Sequence, residues 1–245
     1  MKSNVYRAIV SMFFGLAAVA FMTAAHGQSA TALAGIAAYN RGDIPAAYRL
    51  LRAAADVNDP EGQVNLGYMY ARGQGVAENQ AEAFRLYSLS ARQGDGEGMN
   101  ALGYKYLFGT GVAPDSQKAV SWFCAAIAQG NPRAMNNLAG MLASGDYLTR
   151  DDAEARSLWM QAAARGHANA MFNLARSYTL GPDPDLAKAQ QWIVKAGERG
   201  HPEAIQYLRS SGYTGALPAP FDEVAMIIPF VKGKAGHTKV CSLIS

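Results

Sequence analysis

The chain has 245 residues, 50% of them hydrophobic and 17% charged, with a formal net charge of +3. That balance excludes intrinsic disorder, which goes with low hydrophobicity and high net charge, and two cysteines exclude a disulfide scaffold or a four-cysteine zinc site. The 46 alanines and 25 glycines follow no three-residue period, which excludes collagen and leaves their spacing to explain them.

Residues 1–27 read as a secretory leader. Lys2 and Arg7 precede an apolar run from Ala8 to Ala25, broken only by Ser11, Gly15 and Thr23, and no acidic residue occurs before Asp43. Ala25-His26-Gly27 supplies small residues at the two positions a signal peptidase inspects, so cleavage is expected after Gly27. The expected location is periplasmic or secreted, with no membrane association once the leader is removed. An uncleaved anchor is the alternative, because the run approaches the ~17–25 residues that span a bilayer. Loss of Lys2 and Arg7 leaves 20 basic residues against 19 acidic ones, which is no footprint for nucleic acid or an anionic membrane.

The body repeats one motif. Leu66, Leu102, Leu138 and Leu174 recur every 36 residues, as do Ala83, Ala119 and Ala155, and Gly94, Gly130 and Gly166. The units are 60–95, 96–131, 132–167 and 168–201, the last shortened by two residues in its middle. A degenerate unit at 31–59 precedes them, a half-unit at 202–212 follows with Leu208 in the leucine position, and a tail occupies 213–245.

Inside each unit the spacing is helical. Gly62, Leu66, Gly67 and Tyr70 share one helix face, and Ala83, Leu86, Tyr87 and Ser90 share another. Gly73-x-Gly75 and Gly109-x-Gly111 separate the halves. Gly94 and its equivalents stand where a left-handed residue ends a helix, and Pro60, Pro132 and Pro202 open the next helix, where a missing N–H costs nothing. An all-α stack of helix–loop–helix units follows, with Gly or Ala at 67, 103, 139 and 175 where helices meet closely. Leu86, Trp122, Leu158 and Trp192 form one column, so both tryptophans are expected in the core.

The run Gln63-Val-Asn-Leu-Gly-Tyr-Met-Tyr-Ala-Arg-Gly-Gln-Gly-Val76, then Ala83 and Ser90-Ala-Arg-Gln-Gly-Asp95, resembles the Sel1-like repeat, a relative of the tetratricopeptide repeat. The second unit matches through Ala101-Leu-Gly-Tyr104 and Gly109-Thr-Gly-Val112. The third loop, Gly145-Asp-Tyr-Leu148, lacks the second glycine, and the fourth reads Gly181-Pro-Asp-Pro184. The resemblance covers about residues 31–212. It implies a right-handed α-solenoid that serves as a scaffold for a protein or peptide partner, without catalysis, cofactor or metal. Some Sel1-like families carry a disulfide in every repeat and are linked to β-lactam binding. This chain lacks that cysteine pattern.

Signals for chemistry are sparse. The chain contains no His-Glu-x-x-His, Gly-x-Ser-x-Gly, P-loop or Ser-x-x-Lys. Gly96-x-Gly98-x-x-Ala101 mimics a dinucleotide fingerprint, but a helix precedes it where a strand is needed. His167 and His201 occupy equivalent positions and read as polar turn residues, with no third ligand in phase for a metal. Cys124 and Cys241 could pair in an oxidising compartment, pinning the tail to the second unit, or remain two thiols. The alternative function classes are a cell-wall or β-lactam-directed hydrolase and a membrane-tethered adaptor.

In tetratricopeptide-like solenoids the first helix of each unit lines the concave surface. The columns expected there are Val64, Asn100, Asn136 and Phe172; Asn65, Ala101, Asn137 and Asn173; and Tyr68, Tyr104, Gly140 and Arg176. Asparagine donates to and accepts from a peptide backbone, and tyrosine adds apolar area with a polar tip. The candidate groove residues are therefore Asn65, Tyr68, Asn100, Tyr104, Asn136, Asn137, Asn173 and Arg176. The tail, apolar at Val224–Val231 and Lys239–Ile244, is expected to cap the last unit. Pairing with a partner strand, or mobility, are its alternatives.

Overall fold

The computed structural model describes residues 30–218 and 238–242. Within them all regular structure is helical. Helix α1 covers 30–40 and packs with α2 (Ile44–Asp56). Four helix pairs follow in the same order: α3 (Pro60–Arg72) and α4 (Gln80–Arg92), α5 (Gly96–Phe108) and α6 (Ser116–Ala128), α7 (Pro132–Ser144) and α8 (Asp152–Ala164), α9 (Ala168–Leu180) and α10 (Leu186–Glu198). Helix α11 (Pro202–Ser210) ends the stack, and α12 (Lys239–Ser242) belongs to the tail. Each helix from α1 to α11 packs on its neighbours in the chain, the one-dimensional order of a solenoid.

The uniform helix length has a local cause at both ends. Asp59, Asp95 and Asn131 cap first helices, and Asn79, Asp115, Asp151 and Asp185 cap second helices, each accepting a backbone N–H of the first turn. Pro60, Pro132 and Pro202 sit in that first turn. The turn between units needs a left-handed residue, and Gly94 supplies it at φ +84°. The loop inside the fourth unit differs. Gly73, Gly109 and Gly145 end α3, α5 and α7 in the left-handed conformation, whereas Gly181 is extended. The two-residue deletion and two prolines therefore redirect the chain there.

The leucine column 66, 102, 138, 174 and 208 is buried throughout. The small residues next to it receive the bulky residue of the paired helix. A Cβ on Gly67 would stand 2.8 Å from Tyr87, and one on Gly103 would stand 2.6 Å from Phe123, which is fully buried. Burying such a ring contributes about 1.5–3 kcal/mol, and only a glycine opposite it lets the helices approach that closely. The core is continuous from α6 to α11. The two tryptophans expected in the core, Trp122 and Trp192, are half-buried at its margin, whereas Leu86 and Leu158 of the same column are buried. The Lys195 ammonium lies 4.2 Å from the Trp192 ring, so an indole face meets a solvated cation rather than the interior.

The described parts of the tail lie in two places. Tyr213 and Leu217 pack at the C-terminal end of the core. Helix α12, however, lies against α6, where Cys241 forms a disulfide with Cys124, and the Lys239 N–H donates to Glu154 Oε1 of α8 at 2.7 Å. The end of the tail is thus tied to the second helices of the second and third units. Ile227, Ile228 and Phe230, the apolar residues that suggested a cap, fall outside the described residues, as does the leader 1–27.

Candidate functional site

The first helices α3, α5, α7 and α9 present side chains at the same phase of each turn, so residues one repeat apart stand side by side. Two asparagine pairs result. Asn137 Nδ2 donates to Asn100 Oδ1 at 3.0 Å, and Asn173 Nδ2 donates to Asn136 Oδ1 at 2.9 Å. Each pair spends one donor and one acceptor, which leaves amide hydrogens and carbonyl lone pairs for a ligand. At the preceding junction the same two positions hold Val64 and Ala101, which cannot pair in this way.

Three concavities run along these helices. The largest, about 490 Å³, is lined by Tyr68, Asn100, Tyr104, Asn136 and Asn137 among others. A second, about 260 Å³, shares Tyr104, Asn136 and Asn137 and adds Phe108, Tyr147 and Asn173. The third, about 410 Å³, continues through Asn173 to Arg176. Tyr104 and Phe108 are both half exposed with ring centroids 4.5 Å apart, and the Arg72 guanidinium lies 4.9 Å from the Tyr68 ring centre.

Seven of the eight expected residues therefore line one continuous groove. Asn65 does not. It is buried, and its Nδ2 donates to the Glu61 carbonyl of its own helix at 2.8 Å. The counterpart of Val64 in the degenerate first unit is Leu33, by the echo of Tyr70–Gly73 in Tyr39–Gly42. With no amide there, Asn65 has no asparagine to meet.

Charged residues in the groove complete its chemistry. Arg133 and Glu97, one repeat apart, form an ion pair at 3.2 Å, both largely buried. Burial raises the Glu97 carboxyl above its ordinary value, while Arg133 pulls it down. Lys105 bonds Gln80 Oε1, and burial lowers its ammonium. His167 also lines the largest concavity. Its Nδ1 accepts the Ala170 N–H at 3.2 Å and so caps α9, as His201 Nδ1 caps α11 at 3.3 Å from the Ala204 N. Burial lowers the His167 pKa to about 3, with Arg133 and His201 adding to the effect. Among the described residues, no three His, Cys, Asp or Glu side chains converge as metal ligands, and no helix is long and apolar enough to cross a membrane.

Several groove residues escaped the reading of the sequence. The Glu97–Arg133 pair was legible in principle, because the two are 36 residues apart at one repeat position. Phe108 ends α5 one turn beyond Tyr104, whereas Tyr147, Arg150 and Arg156 belong to a loop or a second helix, and only the closing of the solenoid brings those three to the groove.

The family described as Sel1 repeat matches residues 29–59, 60–95, 96–131, 132–167 and 168–201. Among solved structures, the chain is similar to a Sel1 repeat protein from Oxalobacter formigenes, at 30% identity and TM-score 0.63, over 79% of this chain and 80% of that one. It is also similar to a protective antigen of uropathogenic Escherichia coli with an SLR fold, at 28% identity and TM-score 0.58, over 78% of this chain and 43% of the antigen. An immunity protein from Pseudomonas aeruginosa shares the fold at 18% identity and TM-score 0.54, over 82% of this chain and 70% of that one. No curated protein matches the chain.

Proposed function

The chain belongs to the Sel1 repeat family, and from that premise we propose that it is an exported, non-catalytic scaffold whose groove binds an extended segment of a protein partner. The observation that carries this reading is the pairing of Asn100 with Asn137 and of Asn136 with Asn173. An extended backbone presents N–H and C=O groups alternately, and each asparagine pair offers both complements at a fixed place. Tyr68, Tyr104 and Phe108 add apolar area beside them. The pairing of asparagines with each other holds their amides in one orientation, so less rotamer freedom is lost on binding.

Export is supported by the leader pattern and by the Cys124–Cys241 disulfide, a bond that persists in oxidising compartments.

The test is alanine at Asn100, Tyr104, Asn137, Asn173 and Arg176 together, with partners cross-linked and captured from the exported fraction. Loss of the partners that wild type retains, with helical circular dichroism and melting unchanged, supports the groove. Retention of every partner by the folded variant removes it as the site.

A further inference from the structure

The third concavity differs in chemistry from the rest of the groove. Three arginines line its space of about 410 Å³, Arg150, Arg156 and Arg176, against a single carboxylate, Asp152. Arg150 is held by that Asp152 at 3.0 Å. Arg156 is mostly buried, donates to the Ser177 carbonyl at 3.2 Å, and stands 3.9 Å from the exposed Asp183. Arg176 is exposed, and nothing among the described residues pairs with it. Two further donors, on residues that line it, find no acceptor among the described residues: the buried Arg156 Nε and the indole Nε1 of Trp159, a residue only 7% exposed.

Buried N–H donors without an acceptor are costly, at about 1–3 kcal/mol each, and their presence calls for an explanation. The repeat itself does not require these residues. In the first two units the positions of Arg150, Arg156 and Arg176 hold Glu78 and Pro114, Phe84 and Val120, and Tyr68 and Tyr104, yet those units pack in the same way. The cavity also lies between the two loops that depart from the repeat pattern, at Gly145–Arg150 and at Gly181. A set of donors with a net positive charge complements a group made only of acceptors and carrying negative charge.

We propose that this cavity is a carboxylate-binding subsite at the C-terminal end of the groove, and that the segment bound there carries an acidic side chain or its own terminal carboxylate into it. The inference rests on the groove reading above, because the cavity meets the asparagine-lined part through Asn173. Arg176 supplies the free charge at the rim. Arg156, already fixed by Ser177, supplies a guanidinium whose orientation is set before the ligand arrives. Leu180 and Ala143 give the same cavity an apolar wall for the neighbouring part of the side chain or backbone.

The experiment is selection of random dodecapeptides displayed on phage against the full chain and against Arg176→Glu, which replaces an exposed residue and leaves the fold intact. The expected result is that peptides selected by wild type share an acidic residue or a free C-terminus at a fixed place, and that the variant does not select them. One such peptide is then made with Asp→Asn, with a C-terminal amide, and with phosphoserine in place of the acid. Binding by wild type should fall at least tenfold for whichever change removes the carboxylate, and the same change should cost Arg176→Glu much less. The Asn and amide versions thus separate a side-chain carboxylate from a terminal one. Tighter binding of the phosphoserine peptide overturns the assignment to a carboxylate. Selected peptides that are lost with alanine at Asn100 and Asn137 but have no carboxylate dependence overturn the subsite and leave the groove standing. If wild type selects no peptide at all, the groove reading falls and the subsite with it.

Discussion

Cys124 of α6 and Cys241 of α12 are 117 positions apart in the chain, and a disulfide brings their Cα atoms to 5.3 Å. The bond closes a loop that contains the second half of the solenoid. Cross-linking so long a loop restricts the unfolded chain, an effect typically of about 2–4 kcal/mol.

Cys241→Ser should therefore lower the stability of the oxidised protein by about 2–4 kcal/mol. Urea titration with and without dithiothreitol checks this. Wild type in reductant should match the variant, and the variant should not respond to reductant. Equal midpoints for oxidised and reduced wild type would show that the tether restrains nothing.

His167 governs a pH effect. Its unprotonated Nδ1 accepts the Ala170 N–H, so protonation removes the cap of α9. In the unfolded chain the imidazole takes a proton near its ordinary value of 6.5, whereas the fold keeps it neutral down to about 3. Between these values the unfolded state holds the extra proton, so stability falls as pH is lowered through that window. At pH 5 the loss through this group is about 2 kcal/mol relative to pH 7.5. His167→Asn keeps a cap of the kind Asn131 provides and removes the titration. Its stability at pH 7.5 should be close to wild type, and its decline toward pH 5 smaller by about that amount. Glu61 works in the opposite direction, since burial beside Asp59 and Asp95 raises its pKa to about 7 and favours the fold as pH is lowered. Both proteins contain Glu61, so the difference between their pH profiles isolates His167. Parallel profiles would refute the cap's role.

The contact of Gly103 with Phe123 predicts an inverted effect of alanine in a helix. In a solvent-facing helix position Gly→Ala stabilises by about 1 kcal/mol. At Gly103 the new Cβ would meet the Phe123 ring at 2.6 Å, and overpacking of this kind costs about 1–3 kcal/mol. Gly103→Ala should thus lower the melting temperature, while Gly140→Ala, where a Cβ meets nothing within 4 Å, should raise it. A pair of variants that both gain stability would show that the helices can separate at no cost.

The leader predicts a processed N-terminus. Expressed with its full sequence in a bacterial host, the protein recovered outside the cytoplasm should begin at Gln28 by N-terminal sequencing. An intact Met1 in the membrane fraction would support the uncleaved anchor instead.

Much of the architecture was readable before any coordinates, and for local reasons. The 36-residue recurrence of leucine, alanine and glycine marked the units that the family match also delimits. Helix starts and stops depend on residues within a turn of the boundary, so Pro132 and Gly94 can be interpreted where they stand. One local signal was passed over: Asp59, Asp95, Asn131, His167 and His201 form a single column of helix caps, which explains the two histidines without reference to a metal.

What the sequence determined by itself was the repeat: its length, its helices, and the phase at which the groove residues stand on them. Those properties arise from contacts within about one turn of helix, or between adjacent copies of the same pattern. The tertiary structure decided which side chains meet. Asn65 and Asn137 hold the same repeat position, yet one is turned back on Glu61 and the other bonds Asn100, because only Asn137 has an amide in the preceding unit. The union of Cys124 with Cys241, and of Arg150 and Arg156 with Arg176 around one cavity, depends on where loops and tail return across the stacked units. A period in the sequence specifies how often a residue recurs. It does not contain the rotation from one unit to the next, and that rotation determines what faces what.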